Sequence, residues 1–195
     1  MSLMIAERPI GISLEPPSMA RAREFLDAVE RSRRLHGRWV APPDSRSALR
    51  TYLERNQDGS YIGHFVINDD DELAGVINIS EIVRGAFQSG YLGYYAFAPH
   101  AGQGLMQHAL RQVVASSFRD YGLHRLEANI QPDNYTSRAL VGKLGFWLEG
   151  YSPRYLKIGG RWRDHERWAM TAEAWRRRGN PGSRYVSPVR LRRVV

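Results

Sequence analysis

Strand-like and helix-like segments follow one another along this chain in the order β-α-α-β-β-β-α-β-α-β-β-β, and that order limits its fold more than any other feature. Residues 10–14 alternate as a strand and stop at Pro16-Pro17. Ser18 is placed to cap a helix whose apolar Phe25, Leu26 and Val29 recur at helical spacing. Asp44 or Ser45 starts a second helix carrying Leu49, Tyr52 and Leu53. Residues 61–67 and 73–80 flank the acidic turn Asn68-Asp69-Asp70-Asp71 and predict a hairpin, with a Tyr-rich strand next at 91–97. A short glycine-containing loop then leads into a long helix to about Tyr121, apolar at Leu105, Ala109, Leu110, Val113, Val114 and Phe118, with Gly122 as its stop. Residues 126–130 form a strand, Pro132-Asp133-Asn134 opens a helix through Leu144, and Gly145 ends it. Strands at 147–151, 155–158 and 162–170 complete the pattern, which predicts a mixed sheet with helices on its faces.

The 195 residues are 43% hydrophobic and 25% charged, which suits one domain with its own core and excludes collagen, coiled coil and wholesale disorder. There is no Cys, so a disulfide framework, a thiolate metal site and a cysteine nucleophile are ruled out. The longest stretch without Asp, Glu, Lys or Arg, residues 85–110, is broken by Gln88, Ser89, Pro99, His100, Gln103, Gln107 and His108, so no contact with a membrane is expected. Glu7 and Arg8 interrupt any apolar leader; no signal peptide is expected, and the cytoplasm is the expected compartment. The net charge of +8 is uneven: all 20 acids lie at or before Glu173 and seven arginines lie beyond it, so residues 1–175 balance 21 bases against 20 acids. This predicts a single domain over 1–175 and a basic, loosely ordered tail over 176–195.

Two strand-to-helix junctions carry candidate chemistry. In the loop 98–106, Gly102 and Gly104 permit backbone conformations that aim several N–H groups at one point, and the following helix adds its positive end, an arrangement suited to phosphate. Gln107 stands where a dinucleotide fingerprint needs a third glycine, and no Gly-Lys-Ser/Thr is present; an ordinary helix-start turn would use the same glycines. The second junction is Asn134-x-x-Ser137 followed by Lys143-Leu144-Gly145-Phe146, where Asn and Ser share one helix face. A helix cap is the bland reading of Asn134 alone; both junctions together, in order and about 30 residues apart, argue for a shared site.

As a set, Gly102-Gln103-Gly104-Leu105-Met106, Leu123-His124-Arg125-Leu126-Glu127-Ala128-Asn129, Pro132-Asp133-Asn134-x-x-Ser137 and Lys143-Leu144-Gly145-Phe146 resemble the GNAT acetyltransferase superfamily. Glu149-Gly150, Tyr155-Leu156 and Trp162-Arg163-Asp164-His165 resemble its branch that acetylates ribosomal-protein N-termini, over roughly residues 8–175. The resemblance implies an α/β (α+β) fold: a mixed, mostly antiparallel twisted sheet, splayed between its fourth and fifth strands and flanked by about four helices, with acetyl-CoA in the gap. It implies pantetheine contacts around Phe97 and Ala98, pyrophosphate held by Gly102, Gln103, Gly104, Leu105 and Met106, Asn134 and Ser137 near the thioester, and Lys143 near the nucleotide phosphates.

The chain departs from the family pattern in four places. Pro99 replaces the Arg or Gln usual before the first loop glycine, and Val141 replaces a tyrosine that protonates the departing sulfur, which leaves Ser137 as the donor. Tyr91 replaces a carboxylate on the fourth strand, and the carboxylate some relatives carry near Leu156 is missing. Glu127, Glu81 and a water-mediated route stay open as the general base, Glu127 having an alternative reading as a salt-bridge partner of Arg125 or Arg138. Tyr94, Tyr95 and Tyr155 are candidates to wall a substrate groove, while Trp147, Trp162, Trp168 and Trp175 read as packing.

Direct attack of an amine on the thioester needs no covalent intermediate, in keeping with the missing Cys. No Gly-x-Ser-x-Gly exists, and the six histidines are scattered, so neither a serine hydrolase nor a metal site is expected. The expected function is acetyl transfer from acetyl-CoA to a primary amine, foremost a protein N-terminus. The alternatives are a small amine (polyamine, amino acid or aminoglycoside) or a ribosome- or RNA-binding module with little catalysis. The arginine tail suggests weak RNA contact or a merely solvated end, and a monomer or homodimer is expected.

Overall fold

The computed structural model describes residues 11–57 and 59–178. Seven strands, β1 (Ile12–Glu15), β2 (Ile62–Asn68), β3 (Leu73–Val83), β4 (Ser89–Ala96), β5 (Arg125–Ile130), β6 (Trp147–Ile158) and β7 (Arg161–Thr171), form one sheet in the order β1-β2-β3-β4-β5-β7-β6. Every neighbouring pair is antiparallel except β4–β5. Helices α1 (Ala22–Arg31), α2 (Arg33–His36), α3 (Arg46–Glu54), α4 (Leu105–Arg119), α5 (Tyr135–Leu144) and α6 (Ala172–Arg178) cover the faces. Among the described residues, no helix is long and apolar enough to cross a membrane.

Strand alternation sends apolar side chains to two cores. On one face α4 lays Leu110, Val113 and Val114 against Ile77, Leu92, Leu126 and the Leu144 end of α5. On the other, Phe25 of α1 and Leu49 and Tyr52 of α3 pack on Phe65, Val76 and Phe97. Phe25 is fully buried between the Phe65 and Phe97 rings, 5.5 and 5.6 Å away, so its truncation to alanine would cost about 3–5 kcal/mol. Gly75 of β3 matters by what it lacks: a Cβ there would meet Met106 Sδ at 2.4 Å and the Tyr95 carbonyl at 2.8 Å, so the start of α4 seats against the sheet only because this residue is glycine.

The parallel β4–β5 pairing positions the site. Only Ser89↔Arg125, Gly90↔Leu126 and Tyr91↔Glu127 pair, although β4 runs on to Ala96 and β5 to Ile130. Beyond Tyr91 and Glu127 the two strands part, and the sheet opens as the resemblance implied.

Local differences from the sequence reading have physical causes. Ser18 is extended and makes no side-chain cap; a 3-10 turn, Met19–Arg21, intervenes before α1. Arg21 there bridges Glu15 and Glu24 at 2.9 Å each and Asp71 at 2.5 Å, tying β1, α1 and the β2–β3 turn together. Ser45 caps α3 as expected, accepting from Ala48 N–H at 3.2 Å. The break expected after residue 151 is a register shift inside one strand, β6, with Arg154 at φ +49°. Because β6 is an edge strand, Pro153 need cost no ladder bond. Arg176, Arg177 and Arg178 are the end of α6, and the Arg178 guanidinium reaches the Lys143 carbonyl at 3.2 Å, over Gly145. Helix α6 thus runs on from residue 175 to Arg178, and residues 179–195, the rest of the expected tail, lie outside the described residues.

Candidate active site

A cavity of about 540 Å³ occupies the open end of the β4–β5 split. Residues 92–96 of β4 and Asn129, Ile130 and Gln131 at the end of β5 form its walls. The loop after β4 and the start of α4 close one end, α5 one side, and Leu35, His36, Trp39 and Val40 the roof.

The loop is built to present backbone donors. Gly102 and Gly104 both take φ of +85°, which only glycine adopts readily, and a Cβ on Gly102 would meet nothing within 4 Å. Gly104 is the residue before the first turn of α4, whose opening N–H groups at Leu105 and Met106 have no carbonyl within the helix to receive them. All four of these residues line the cavity. Their neighbours are placed differently. Phe97 N–H donates to the Ala74 carbonyl at 2.8 Å, and its ring is fully buried in the core. Ala98 N–H donates to Ser32 Oγ at 2.9 Å, and Gln103 Nε2 folds back to the Pro99 carbonyl at 3.2 Å. Phe97, Ala98 and Gln103 are thus committed within the protein and absent from the lining.

Across the cavity, Asn134 caps α5, its Oδ1 accepting from Ser137 N–H at 3.2 Å, so the cap and the site contact are one arrangement rather than alternatives. Ser137 Oγ lies 2.6 Å from the hydroxyl of Tyr94 on β4, and Lys143 lies farther along the same helix wall. Burial pushes the Tyr94 phenol well above its ordinary range, which keeps it protonated. Tyr95, the next residue, faces the opposite side of the sheet; its buried hydroxyl has no hydrogen-bond partner, and neither does Asn129 Oδ1 on the facing strand. Such orphaned polar atoms are rare in folded proteins and mark places where a ligand or water completes the bonding.

The remaining candidates lie elsewhere. Glu127 sits at the closed end of the split and accepts from Arg125 Nε at 2.9 Å; it is not part of the lining. The Arg125 guanidinium also grips Glu149, at 3.0 and 2.5 Å, and holds that carboxyl below the usual carboxylate range. The salt-bridge reading of Glu127 with Arg125 therefore describes its geometry, while Arg138 pairs with Glu166 at 2.8 Å. Glu81 is exposed near the end of β3. Tyr155 is also outside the lining. Its hydroxyl is the leading influence on Tyr91, and together with burial it pushes that phenol up to about 12. Sequence reasoning passed over His36, Trp39, Asn129 and His165 as site residues, all of which line the cavity. For His165 a signal existed in Trp162-Arg163-Asp164-His165, but nothing in that run says which face of β7 it occupies.

Residues 12–147 match the model of the acetyltransferase (GNAT) domain family. The [ribosomal protein uS5]-alanine N-acetyltransferase of Escherichia coli (strain K12) is 43% identical over 136 residues, covering 69% of this chain and 70% of that one. Mycobacterium smegmatis RimJ, solved in complex with CoA-disulfide, superposes with a TM-score of 0.77 at 27% identity, over 83% of this chain and 82% of that one. The spermidine N-acetyltransferase of Vibrio cholerae, solved with CoA and spermine, shares the fold with a TM-score of 0.73 at 18% identity, over 84% and 97%. The split sheet, the glycine loop at the start of α4 and these likenesses agree: the chain belongs to the GNAT acetyltransferase family and is an acetyl-CoA-dependent N-acetyltransferase.

Proposed function

We propose that this enzyme acetylates the α-amine of a protein N-terminus, with a ribosomal protein as the acceptor. One observation carries the reading: no Asp or Glu is among the described residues that line the cavity, while Lys143 and the histidines 36, 100 and 165 are. A polyamine brings several positive charges into the site, and burying them without carboxylates is costly. A peptide N-terminus brings one, on an amine whose ordinary pKa of roughly 7.7–8.0 leaves an appreciable neutral fraction near neutral pH. The uS5-alanine acetyltransferase and RimJ likenesses support the same choice. Likeness to the spermidine enzyme, at 18% identity, is one of fold.

The residues present fit acetyl-CoA. The N–H groups of Gly104, Leu105 and Met106, beside the open face of Gly102, suit a diphosphate, with Lys143 as a nearby cation. The unpartnered Tyr95 hydroxyl and Asn129 Oδ1 provide polar contacts deep in the split. When bound, acetyl-CoA supplies an acyl group activated as a thioester. The chain does the rest. Main-chain donors along the splayed edge of β4, which has lost its β5 partner, stabilise the oxyanion. Ser137 holds a proton for the leaving sulfur, and Tyr94 orients it. Either hydroxyl can donate in this pair, and the Tyr94 O–H also reaches the Ser137 carbonyl at 3.3 Å; with Tyr94 as donor the single Ser137 O–H is left for the cavity. One domain, reaching to the end of α6, carries the whole reaction.

Thiol release from acetyl-CoA, measured against peptides beginning Ala, Ser or Met beside spermidine and an aminoglycoside, tests the acceptor. We expect kcat/KM to favour a peptide by at least about tenfold, some 1.4 kcal/mol of transition-state preference. Preference for spermidine would replace this reading with small-amine acetylation.

A further inference from the structure

With Glu127 and Glu149 held by Arg125 outside the cavity, neither carboxylate is placed to take the proton that the attacking nitrogen must lose. His165 is placed to do so. It lies on β7, is 3% exposed, and lines the cavity. Its Nδ1 is 2.9 Å from the Arg163 carbonyl oxygen. A carbonyl only accepts, so Nδ1 carries the hydrogen and, in the neutral ring, Nε2 keeps its lone pair. The register fixes its place. Asn129 pairs with Arg167, so His165 falls two residues farther toward the open end, on the same face of the sheet as Asn129. Tyr155 packs edge-on against its ring, centroids 6.3 Å apart, and limits its rotation.

We infer that His165 is the general base of the reaction, its Nε2 accepting the proton from the acceptor nitrogen. This rests on the amine-acetylation reading and adds to it the group that activates the nucleophile. As the nitrogen–carbon bond forms, the nitrogen's proton passes to Nε2. As the carbon–sulfur bond breaks, sulfur takes the proton of Ser137. Water then restores Ser137 and removes the proton from the imidazolium, so no net proton is gained or lost by the protein. Acid and base thus approach the reacting centre from different elements, helix α5 and strand β7, on different faces of the sheet.

The other histidines of the cavity are engaged. His36 donates from Nε2 to the Ala96 carbonyl at 2.9 Å and is wedged against the Tyr95 and Phe97 rings; His100 lies 3.6 Å from Glu72. Burial lowers the His165 pKa below its ordinary value, opposed by the Arg163 carbonyl and by Asp164. Arg163 and Arg167 flank it on β7, Tyr155 faces it from β6, and His36, His100 and Lys143 stand on the other walls of the cavity. The imidazole is therefore neutral through neutral pH, and kcat/KM falls only toward acid pH.

His165→Gln should lower kcat/KM for the preferred amine on the order of 10²-fold and remove the imidazole's step from the acid limb of the pH profile, leaving the fall that comes from protonation of the amine itself. The rise in melting temperature caused by acetyl-CoA should persist, which shows an intact fold and donor site. Added imidazole should restore part of the rate to His165→Ala, an effect that a purely structural role would not produce. Independently of turnover, imidazole nitrogen NMR of the unmodified protein should show the Nδ1–H tautomer at pH 7. His165→Gln turning over a good acceptor within about threefold of the parent, or an Nε2–H tautomer, overturns the assignment of His165 alone. Absence of thiol release with every amine overturns the acceptor reading and this inference together.

Discussion

The two ends of the β4–β5 pair are chemically opposite. At the closed end the strands still hydrogen-bond, and the charged groups beside them are partnered: Arg125 holds Glu127 and Glu149, and Trp147 donates to Glu149 at 3.1 Å. At the open end the strands have parted, and the Tyr95 hydroxyl and Asn129 Oδ1 are buried without partners. A satisfied network stabilises a fold; an unsatisfied one is a cost that folding tolerates where a ligand will complete it. Glu127 and Glu149 belong to the first kind of place and the proposed catalytic groups to the second.

Substitutions can break that contrast, beginning with the largest effect. Gly104→Val forces a β-branched residue into a left-handed conformation at the start of α4. We expect it to abolish the acetyl-CoA thermal shift and to lower kcat/KM by more than about 10²-fold. An undiminished shift would remove the loop from the site.

Ser137→Ala should reduce kcat by on the order of 10²-fold with little change in acetyl-CoA affinity, and Tyr94→Phe by about tenfold. If the two hydroxyls act as one unit, the double variant will be no slower than Ser137→Ala. Additive losses would separate them. Val141→Tyr should not fully rescue Ser137→Ala, since position 141 is fully buried in a core packed around a smaller side chain.

The closed end should respond in stability instead. Glu127→Gln is expected to leave kcat within about threefold while costing roughly 1 kcal/mol of unfolding free energy, as Arg125 keeps Glu149. A collapse of kcat would make the closed end catalytic after all. Because Glu149 is held below its ordinary pKa, its contribution is fully present above the ordinary carboxylate range and is lost as pH falls through the lowered value. Glu149→Gln should therefore flatten the acid side of the stability–pH curve.

The smallest effect concerns the basic end of the chain. Removing residues 179–195, which keeps α6 and its Arg178 contact, should leave turnover of a free peptide within about twofold and weaken only salt-sensitive association with RNA or ribosomal particles. No change in association would mark a solvated end, and lost peptide activity would mark a docked segment.

Local signals in the sequence were enough for much of this architecture. The apolar stripe of α4, the hairpin around residues 68–71, the Asn134 cap and the terminating Gly145 are each decided within a few residues by periodicity, capping and backbone freedom. The motif set added the family, and with it the expectation of a split sheet. Positions that depend on several elements meeting were not legible in the same way. Phe97 and Ala98 adjoin the loop in sequence, but their N–H groups are taken by Ala74 and Ser32, contacts made only once β3 and the end of α1 are in place. Glu127 is five residues from Pro132, yet it lies below the point where the strands part, and a carboxylate's reactivity depends on whether an arginine reaches it first. His165 offers the reverse case. The sequence shows only a histidine in a polar strand. Register with β5, the rotation imposed by the Arg163 carbonyl and the departure of β4 from β5 together turn its free nitrogen into a group at the cavity wall. Secondary structure and family were written locally because hydrogen-bonding rules and hydrophobic periodicity act locally. The identity of the base was not, because proton affinity is set by neighbours that only the tertiary fold brings together.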